Sequence, residues 1–289
     1  MSRANRRAGP RVESIVEILG TSRKYRDLCP QALEEAAVWA AERAPSVKGA
    51  VKLAKRKLHQ ITGAFVDRRD LGRIERAAAA LVPGRPRREI EELCLSVLAL
   101  HTSTRERLAW MDEFYSQLFS RLGPVESILD LACGLHPFAI PWMPLGPQTR
   151  YTAADIDCRL IRAVELFLSR LGRPAAARCG DILSDPGAPG GDKDEEHEVV
   201  FLFKVLPALE RFRRGSARSA VIGAPGRRIV VTFPLRSLGG GERGMAAGYD
   251  GLMTGVTDGW EGTVERWTCR EELCFLLERD APGCRAPAS

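Results

Sequence analysis

Three aspartates, Asp130, Asp155 and Asp181, stand at or just past the ends of short apolar runs, in the segments ILDLACG, TAAD and RCGD. A carboxylate at the tip of a second strand accepts hydrogen bonds from ribose hydroxyls, and one after a third strand can accept from the amino group of adenine. Gly134 lies four residues beyond Asp130, so an apolar strand runs into a glycine turn. Such a turn presents backbone N–H groups at the carboxyl end of a sheet, where nucleotide-like ligands bind in open α/β folds. Of a G-x-G-x-x-G pattern only Gly134 is present, which disfavours a nicotinamide-dependent dehydrogenase. Asp157 competes with Asp155 for the ribose, and each acid alone also suits a turn or a helix cap. What points to a nucleoside is the ordered series Asp-x-x-x-Gly, Asp, Asp at three successive strand ends.

Positioning those acids requires a parallel sheet. Strand candidates span 127–131, 151–154, 175–179, 199–203 and 228–233, separated by helical segments as in βαβ units. The stretch DPGAPGGDKDEEHE between the third and fourth reads as an exposed loop. Glycine-rich 237–244 and 248–262 are expected to be mobile, and the tail 281–289 disordered. Upstream the texture is helical. A helix over 31–44 stops at Pro45, and the next places Val47, Val51, Ala54, Leu58, Ile61 and Phe65 on one apolar stripe. Further helices are predicted over 70–81, 89–101 and 104–122. The expected division is an all-helical, basic domain over 1–103, an α/β domain over 104–280 and a tail.

At 289 residues the chain has room for about two domains of ~150 residues. It contains no apolar run near the ~20 residues of a bilayer span, so no membrane role is expected. Arg3, Arg6, Arg7 and Arg11 have no apolar segment beside them, which argues against a secretory signal and for a cytoplasmic location. Eight cysteines without a C-x-x-C pair and four scattered histidines predict neither a metal site nor a disulfide framework, but buried thiols. The formal charge of +6 is uneven: residues 1–120 hold 22 Lys/Arg against 15 Asp/Glu. From Val47 to Val66 there is no acid at all, and Lys48, Lys52, Lys55, Arg56 and His59 run beside the apolar stripe. A solvated helix usually mixes signs to gain i,i+4 pairs, so this face suits phosphates.

The spacing of the three acids resembles that of class I S-adenosylmethionine-dependent methyltransferases. With HTSTRERL at 101–108, DLACGLHPFAIPWM at 130–143, LFKVLPALE at 202–210 and FPLRSLGG at 233–240, most of the chain resembles a narrower family. This is the aminoglycoside-resistance 16S rRNA (guanine-1405 N7) methyltransferase family of actinomycete antibiotic producers. An excess of 36 Arg over 7 Lys fits such a GC-rich genome. The resemblance implies a class I, Rossmann-like α/β methyltransferase domain behind a helical N-terminal domain. It further implies S-adenosylmethionine as cofactor, and a monomer acting on 16S rRNA within the assembled 30S subunit.

Position by position, Arg105 matches the arginine that pairs with the methionyl carboxylate, which a guanidinium fork suits. Ala132 and Gly134 would line the methionine and ribose, Asp155 with Ile156 would hold the ribose and adenosine edge, and Asp181 with Ile182 would face the adenine. Lys204 and Arg236 match positions beside the target nucleotide, where catalytic roles are expected. The basic stripe from Lys48 to His59 would grip RNA. His136 departs from the pattern, standing where relatives often carry Asn.

Guanine N7 carries an unshared pair and no proton, so attack on a sulfonium methyl needs alignment and electrostatics rather than a general base. Methylases of exocyclic amines carry an Asn/Asp-Pro-Pro-aromatic segment after the fourth strand. Here that place reads Phe203-Lys204-Val205-Leu206-Pro207, which disfavours amino-group chemistry. The base must leave its stack, and Trp260 and Met253 are candidates to hold it. Other readings are N1 methylation of a neighbouring decoding-site adenine and a non-catalytic ribosome-binding factor.

Overall fold

The computed structural model describes residues 9–62, 68–185, 196–235 and 245–280. Helices α1 (Pro10–Thr21), α2 (Pro30–Ala41), α3 (Val47–Thr62), α4 (Arg68–Ala80) and α5 (Arg87–Leu98) come first, then the short α6 (Thr102–Arg105) and α7 (Met111–Leu122). The α/β part follows as β1 (Ser127–Leu131), β2 (Arg150–Asp155), α8 (Cys158–Arg170), β3 (Ala175–Cys179), β4 (His197–Phe203), α9 (Leu206–Phe212), α10 (Ser216–Gly223) and β5 (Gly226–Pro234). It closes with α11 (Met245–Val256), β6 (Gly262–Cys269) and β7 (Glu272–Arg279). One seven-stranded sheet has the order β3-β2-β1-β4-β5-β7-β6. The pairs among β1 to β5 are parallel, whereas β7 is antiparallel to both β5 and β6. No helix of the described residues is long and apolar enough to cross a membrane.

Strand alternation assigns neighbouring residues to opposite faces of the sheet. Leu129, Leu131, Val200, Leu202, Ile229 and Val231 join one apolar cluster, together with Ile15, Leu19, Leu33 and Leu58 of α1 to α3. Ile128, Val199, Phe201 and Val230 join the other, with Leu71 and Ile74 of α4, Val97 of α5, Phe114 of α7 and Phe167 of α8. The N-terminal helices therefore share cores with the sheet, α1 to α3 over one face and α4 with α5 over the other. Each fully buried Leu, Ile or Phe contributes about 1.5–3 kcal/mol, which ties these helices to the sheet. Ile61 of α3 and Leu160 of α8 flank the carboxyl ends of β1 and β2, beside Ala132 and Asp155.

Several sequence expectations need correction. The single helix predicted over 104–122 is broken: α6 ends at Arg105, Leu108–Trp110 forms a 3₁₀ turn, and Trp110 at φ −141°, ψ 25° leaves the helical region before α7. Within the stretch 248–262, expected to be mobile, lies most of α11. Its glycines face open space, but Met253 and Val256 are buried and Tyr249 stacks on Phe233 with ring centroids 4.6 Å apart. Aromatic and aliphatic burial there outweighs the ~1 kcal/mol that each helical glycine costs. Nor does the pattern of free thiols hold throughout. Cys158 and Cys179 form a disulfide, because the parallel pairing of β2 with β3 brings the ends of both strands together. Cys29, Cys94, Cys133, Cys269 and Cys274 are buried and free. Residues 186–195, 237–244 and 281–289, on which the other loop expectations fall, lie outside the described residues.

Candidate active site

The chain leaves β1 through two residues with left-handed backbone, Ala132 at φ 53° and Gly134 at φ 51°. This turn folds back on β2: Cys133 N–H donates to the Ala154 carbonyl at 3.0 Å, and Gly134 N–H donates to Asp155 Oδ2 at 3.0 Å. The other Asp155 oxygen, Oδ1, accepts from Asp157 N–H at 3.0 Å. Two backbone amides thus fix the carboxylate, while each oxygen keeps a lone pair for an incoming hydroxyl. Burial, stronger than these amides, raises the Asp155 pKa to about 6. Asp157 has a different task. Its Oδ1 accepts from Arg159 N–H and Leu160 N–H, both at 3.0 Å, which makes it the N-cap of α8.

Asp181 follows β3 and is held by Leu183 N–H on Oδ1 at 2.9 Å and by the Ser184 hydroxyl on Oδ2 at 3.0 Å. Burial, the largest effect, raises its pKa from the ordinary aspartate value. Ala132, Gly134, Asp155, Ile156, Asp181 and Ile182 all line one open cleft, so the structure brings these six predicted residues together. Asp157, Phe203, Lys204 and Leu209 line it too. Carboxylates set among Ile156, Ile182 and Leu209 offer acceptors between apolar walls. That set of acceptors fits an adenosyl group, whose hydroxyls and amine donate while its ring system needs flat apolar contact.

Beneath the cleft is a buried polar network. Tyr151 OH donates to Asp130 Oδ2 at 2.6 Å, His136 Nδ1 lies 2.8 Å from the same oxygen, and His136 Nε2 lies 2.8 Å from Tyr115 OH. His136 also packs edge-on against Phe203, with ring centroids 4.7 Å apart. Asp130 is therefore spent on holding β1 to β2 and, through His136, to α7. The histidine that departs from the family pattern has a defined place in the floor.

A second network forms the opposite side. Arg107 Nε and Nη2 donate to Glu272 Oε1 and Oε2 at 3.0 and 2.6 Å, a fully buried bidentate pair. Lys204 Nζ donates to the Ser103 carbonyl at 3.0 Å and to Glu106 Oε2 at 2.8 Å, and lies 2.9 Å from Glu272 Oε1. Burial opposes the charge of Glu272, but Arg107 and Lys204 outweigh it and hold its pKa at about 2. His101, packed beside Gly134, is driven down to about 3 by burial first and by Lys204 and Arg105 next, so its ring is neutral.

Of the predicted residues, Lys204 also lines the cleft, while the remaining described ones lie outside it. Arg105 is exposed at the end of α6; its neighbours Ser103, Thr104 and Arg107 line the cleft and it does not. Arg236 falls outside the described residues. Lys48, Lys52, Arg56 and His59 are exposed on α3 and Lys55 is half-buried, so they share one outward side of a helix whose Ile61 lines the cleft. Met253 is core and Trp260 lies against Arg279, neither of them at the cleft. Sequence reasoning missed Glu272, whose signal is an acid opening the apolar run ELCFLLER, and it passed over Arg107 within HTSTRERL.

A sheet ordered β3-β2-β1-β4-β5-β7-β6 with an antiparallel β7, and with cleft-lining acids at the end of β2 and just past β3, defines a class I S-adenosylmethionine-dependent methyltransferase. Residues 21–276 match the family model described as ribosomal RNA methyltransferase (FmrO), and the chain belongs to that family. The 16S rRNA (guanine(1405)-N(7))-methyltransferase of Micromonospora echinospora is 34% identical over 93% of this chain and 97% of its own length. The Serratia marcescens protein of the same name is 32% identical over 93% and 98%. The crystal structure of the 16S rRNA methyltransferase RmtF in complex with S-adenosyl-L-homocysteine superposes with a TM-score of 0.80 at 31% identity, covering 94% of this chain and 100% of that one. The 16S rRNA methylase RmtB gives a TM-score of 0.75 at 28% identity over 93% and 98%.

Proposed function

We propose that this enzyme transfers a methyl group from S-adenosylmethionine to N7 of guanine 1405 in 16S rRNA, within the 30S subunit, and so confers aminoglycoside resistance. One observation carries the reading: in a chain of the ribosomal RNA methyltransferase family, Gly134, Asp155 and Asp181 converge on one cleft. Asp155 would hold the ribose hydroxyls and Asp181 the adenine amine, with Ile156 and Ile182 flanking the base. Arg105 would reach the methionyl carboxylate from the end of α6. The bound cofactor would supply an electrophilic methyl on a sulfonium.

The protein's own part is alignment. N7 brings its electron pair and has no proton to lose, so the site needs no general base. Neutral His101 adds no cation beside the cleft, and the ammonium of Lys204 is neutralised by Glu106 and Glu272. Lys204 acts by anchoring α6 and the loop after β4 to β7, which keeps the cleft wall in register. Arg236 would meet the target nucleotide. The outward face of α3 would bind RNA phosphates, with Lys48, Lys52, Lys55, Arg56 and His59 making contacts that are insensitive to sequence. The protein would act as a cytoplasmic monomer.

The test uses 30S subunits whose guanine 1405 is replaced by adenine. Loss of label from methyl-labelled S-adenosylmethionine on these subunits, with full labelling of the unaltered ones, is the expected result. Equal labelling of both would refute the assignment of the base.

A further inference from the structure

Cys158 and Cys179 are joined by a disulfide, their Cα atoms 5.0 Å apart. Each is placed beside one of the acids that the cleft depends on. Cys158 follows the cap Asp157 and opens α8, three residues past Asp155; Cys179 ends β3, two residues before Asp181. The strand register pairs Cys179 with Asp155, and Gly180 N–H donates to the Asp155 carbonyl at 3.0 Å. The bond therefore ties the loop that positions Asp155 to the loop that positions Asp181. The methyl transfer described above uses neither sulfur.

Among the described residues the pair also differs from the other cysteines in access. Cys158 and Cys179 are half-buried, while Cys29, Cys94, Cys133, Cys269 and Cys274 are buried. Thiol–disulfide exchange requires that an external sulfur reach the bond, which excludes the buried thiols and admits this pair. In a reducing compartment a disulfide is usually transient and responsive to redox state, rather than a permanent staple.

We propose that Cys158 and Cys179 form a reversible thiol–disulfide modification site that sets the affinity of the cleft for its adenosyl cofactor. The inference rests on the cofactor reading above. The oxidant is a low-molecular-weight disulfide. The thiolate of one cysteine attacks a sulfur of that molecule, forming a mixed disulfide and releasing one small thiol. The thiolate of the second cysteine then attacks the protein sulfur of the mixed disulfide and releases the other small thiol. Two electrons pass from the cysteine pair to the small disulfide, and the two cysteine protons end on the released thiols. In the disulfide form Asp155 and Asp181 are held ready at a fixed separation, so less ordering is required when the ligand arrives. In the dithiol form the cross-link is gone, and the two loops keep the hydrogen bonds between β2 and β3 and the packing of α8 on β3.

The test is calorimetric titration of the full-length protein with S-adenosyl-L-homocysteine after equilibration with an oxidised or a reduced small thiol. The unfolded oxidised protein should take up two fewer alkyl groups than the reduced one, reporting the single bond. The oxidised form should bind about fivefold more tightly, at the low end of coupling between linked sites, and the ligand should shift the thiol–disulfide equilibrium toward the disulfide by the same factor. Cys158→Ser and Cys179→Ser should each bind like the reduced protein and ignore the redox buffer. Equal affinity of the two wild-type forms, or no bond formed under oxidising conditions, would overturn the proposal. No binding in either form would instead overturn the cofactor reading, and the switch with it.

Discussion

Lys204 and Glu272 meet behind the cleft wall, Nζ to Oε1 at 2.9 Å, and the same carboxylate takes both donors of the Arg107 fork. The cation that the sequence places closest to the chemistry is thereby fixed by a β7 residue 68 positions away. Such a pair stabilises little when intact, because desolvation of the charges offsets their attraction, but removing one partner leaves buried charge uncompensated.

Glu272→Gln is therefore expected to destabilise the protein by about 3–5 kcal/mol in urea unfolding at neutral pH. The pH dependence follows from the same geometry. Glu272 is held at about 2 in the fold, below its ordinary value of 4.5. Its contribution to stability is present above pH 4.5 and lost as pH falls through 2. In wild type the acid limb of the stability curve should steepen in that window, and in Glu272→Gln that component should be absent.

Cofactor binding should depend on pH through Asp155. Its folded pKa of about 6 lies above the ordinary 3.8, so burial favours the protonated acid, and the stabilisation this gives is present below 3.8 and lost as pH rises through 6. A ligand that needs both carboxylate oxygens as acceptors meets the opposite demand. Affinity for S-adenosyl-L-homocysteine should fall as pH drops through 6 and level off above 7, as measured by calorimetry. A flat profile between pH 5 and pH 8 would remove Asp155 from the ribose contact.

How much of this was legible in the sequence divides along physical lines. Strands β1 to β5 announce themselves because each is a short apolar run closed by a turn, and the acids at their tips fall where β-strand arithmetic puts them. Strands β6 and β7 do not, since β6 shows mostly polar residues to solvent and β7 is a continuous apolar run that a helix could match equally well. Gly262, read as part of a mobile stretch, is required by packing: a Cβ there would come within 2.0 Å of the Glu278 carbonyl oxygen. Glu272 and the disulfide depend on which strands become neighbours, a tertiary fact that local spacing does not encode. Helix α1 was hidden by the arginines before it, although Val12, Ile15 and Leu19 give it a buried stripe.

Charge reversal on α3 should separate RNA binding from cofactor binding. Lys52→Glu, exposed and outside the cleft, is expected to weaken association with 30S subunits and to flatten its dependence on salt by about one counterion per lost phosphate contact. Affinity for S-adenosyl-L-homocysteine should be unchanged. A parallel loss of both would mean that α3 supports the cleft rather than the RNA.

Arg105 offers a finer test of the cleft's open end. Arg105→Ala should weaken S-adenosyl-L-homocysteine by about tenfold, the scale of one charge-assisted contact to a carboxylate, and should weaken adenosine alone not at all. Equal effects on both ligands would place the arginine elsewhere.

Methylation of N7 in the assembled small subunit is tested most directly by transfer of labelled methyl from S-adenosylmethionine to 30S subunits, naked 16S rRNA and 50S subunits, followed by borohydride reduction and aniline cleavage, which cuts the chain at N7-methylguanosine. Label on 30S alone, with one cut at guanine 1405, is the predicted result. Label on 30S without a cut would contradict N7 as the acceptor, and no label on any of the three by a protein that binds the cofactor would contradict the enzyme itself.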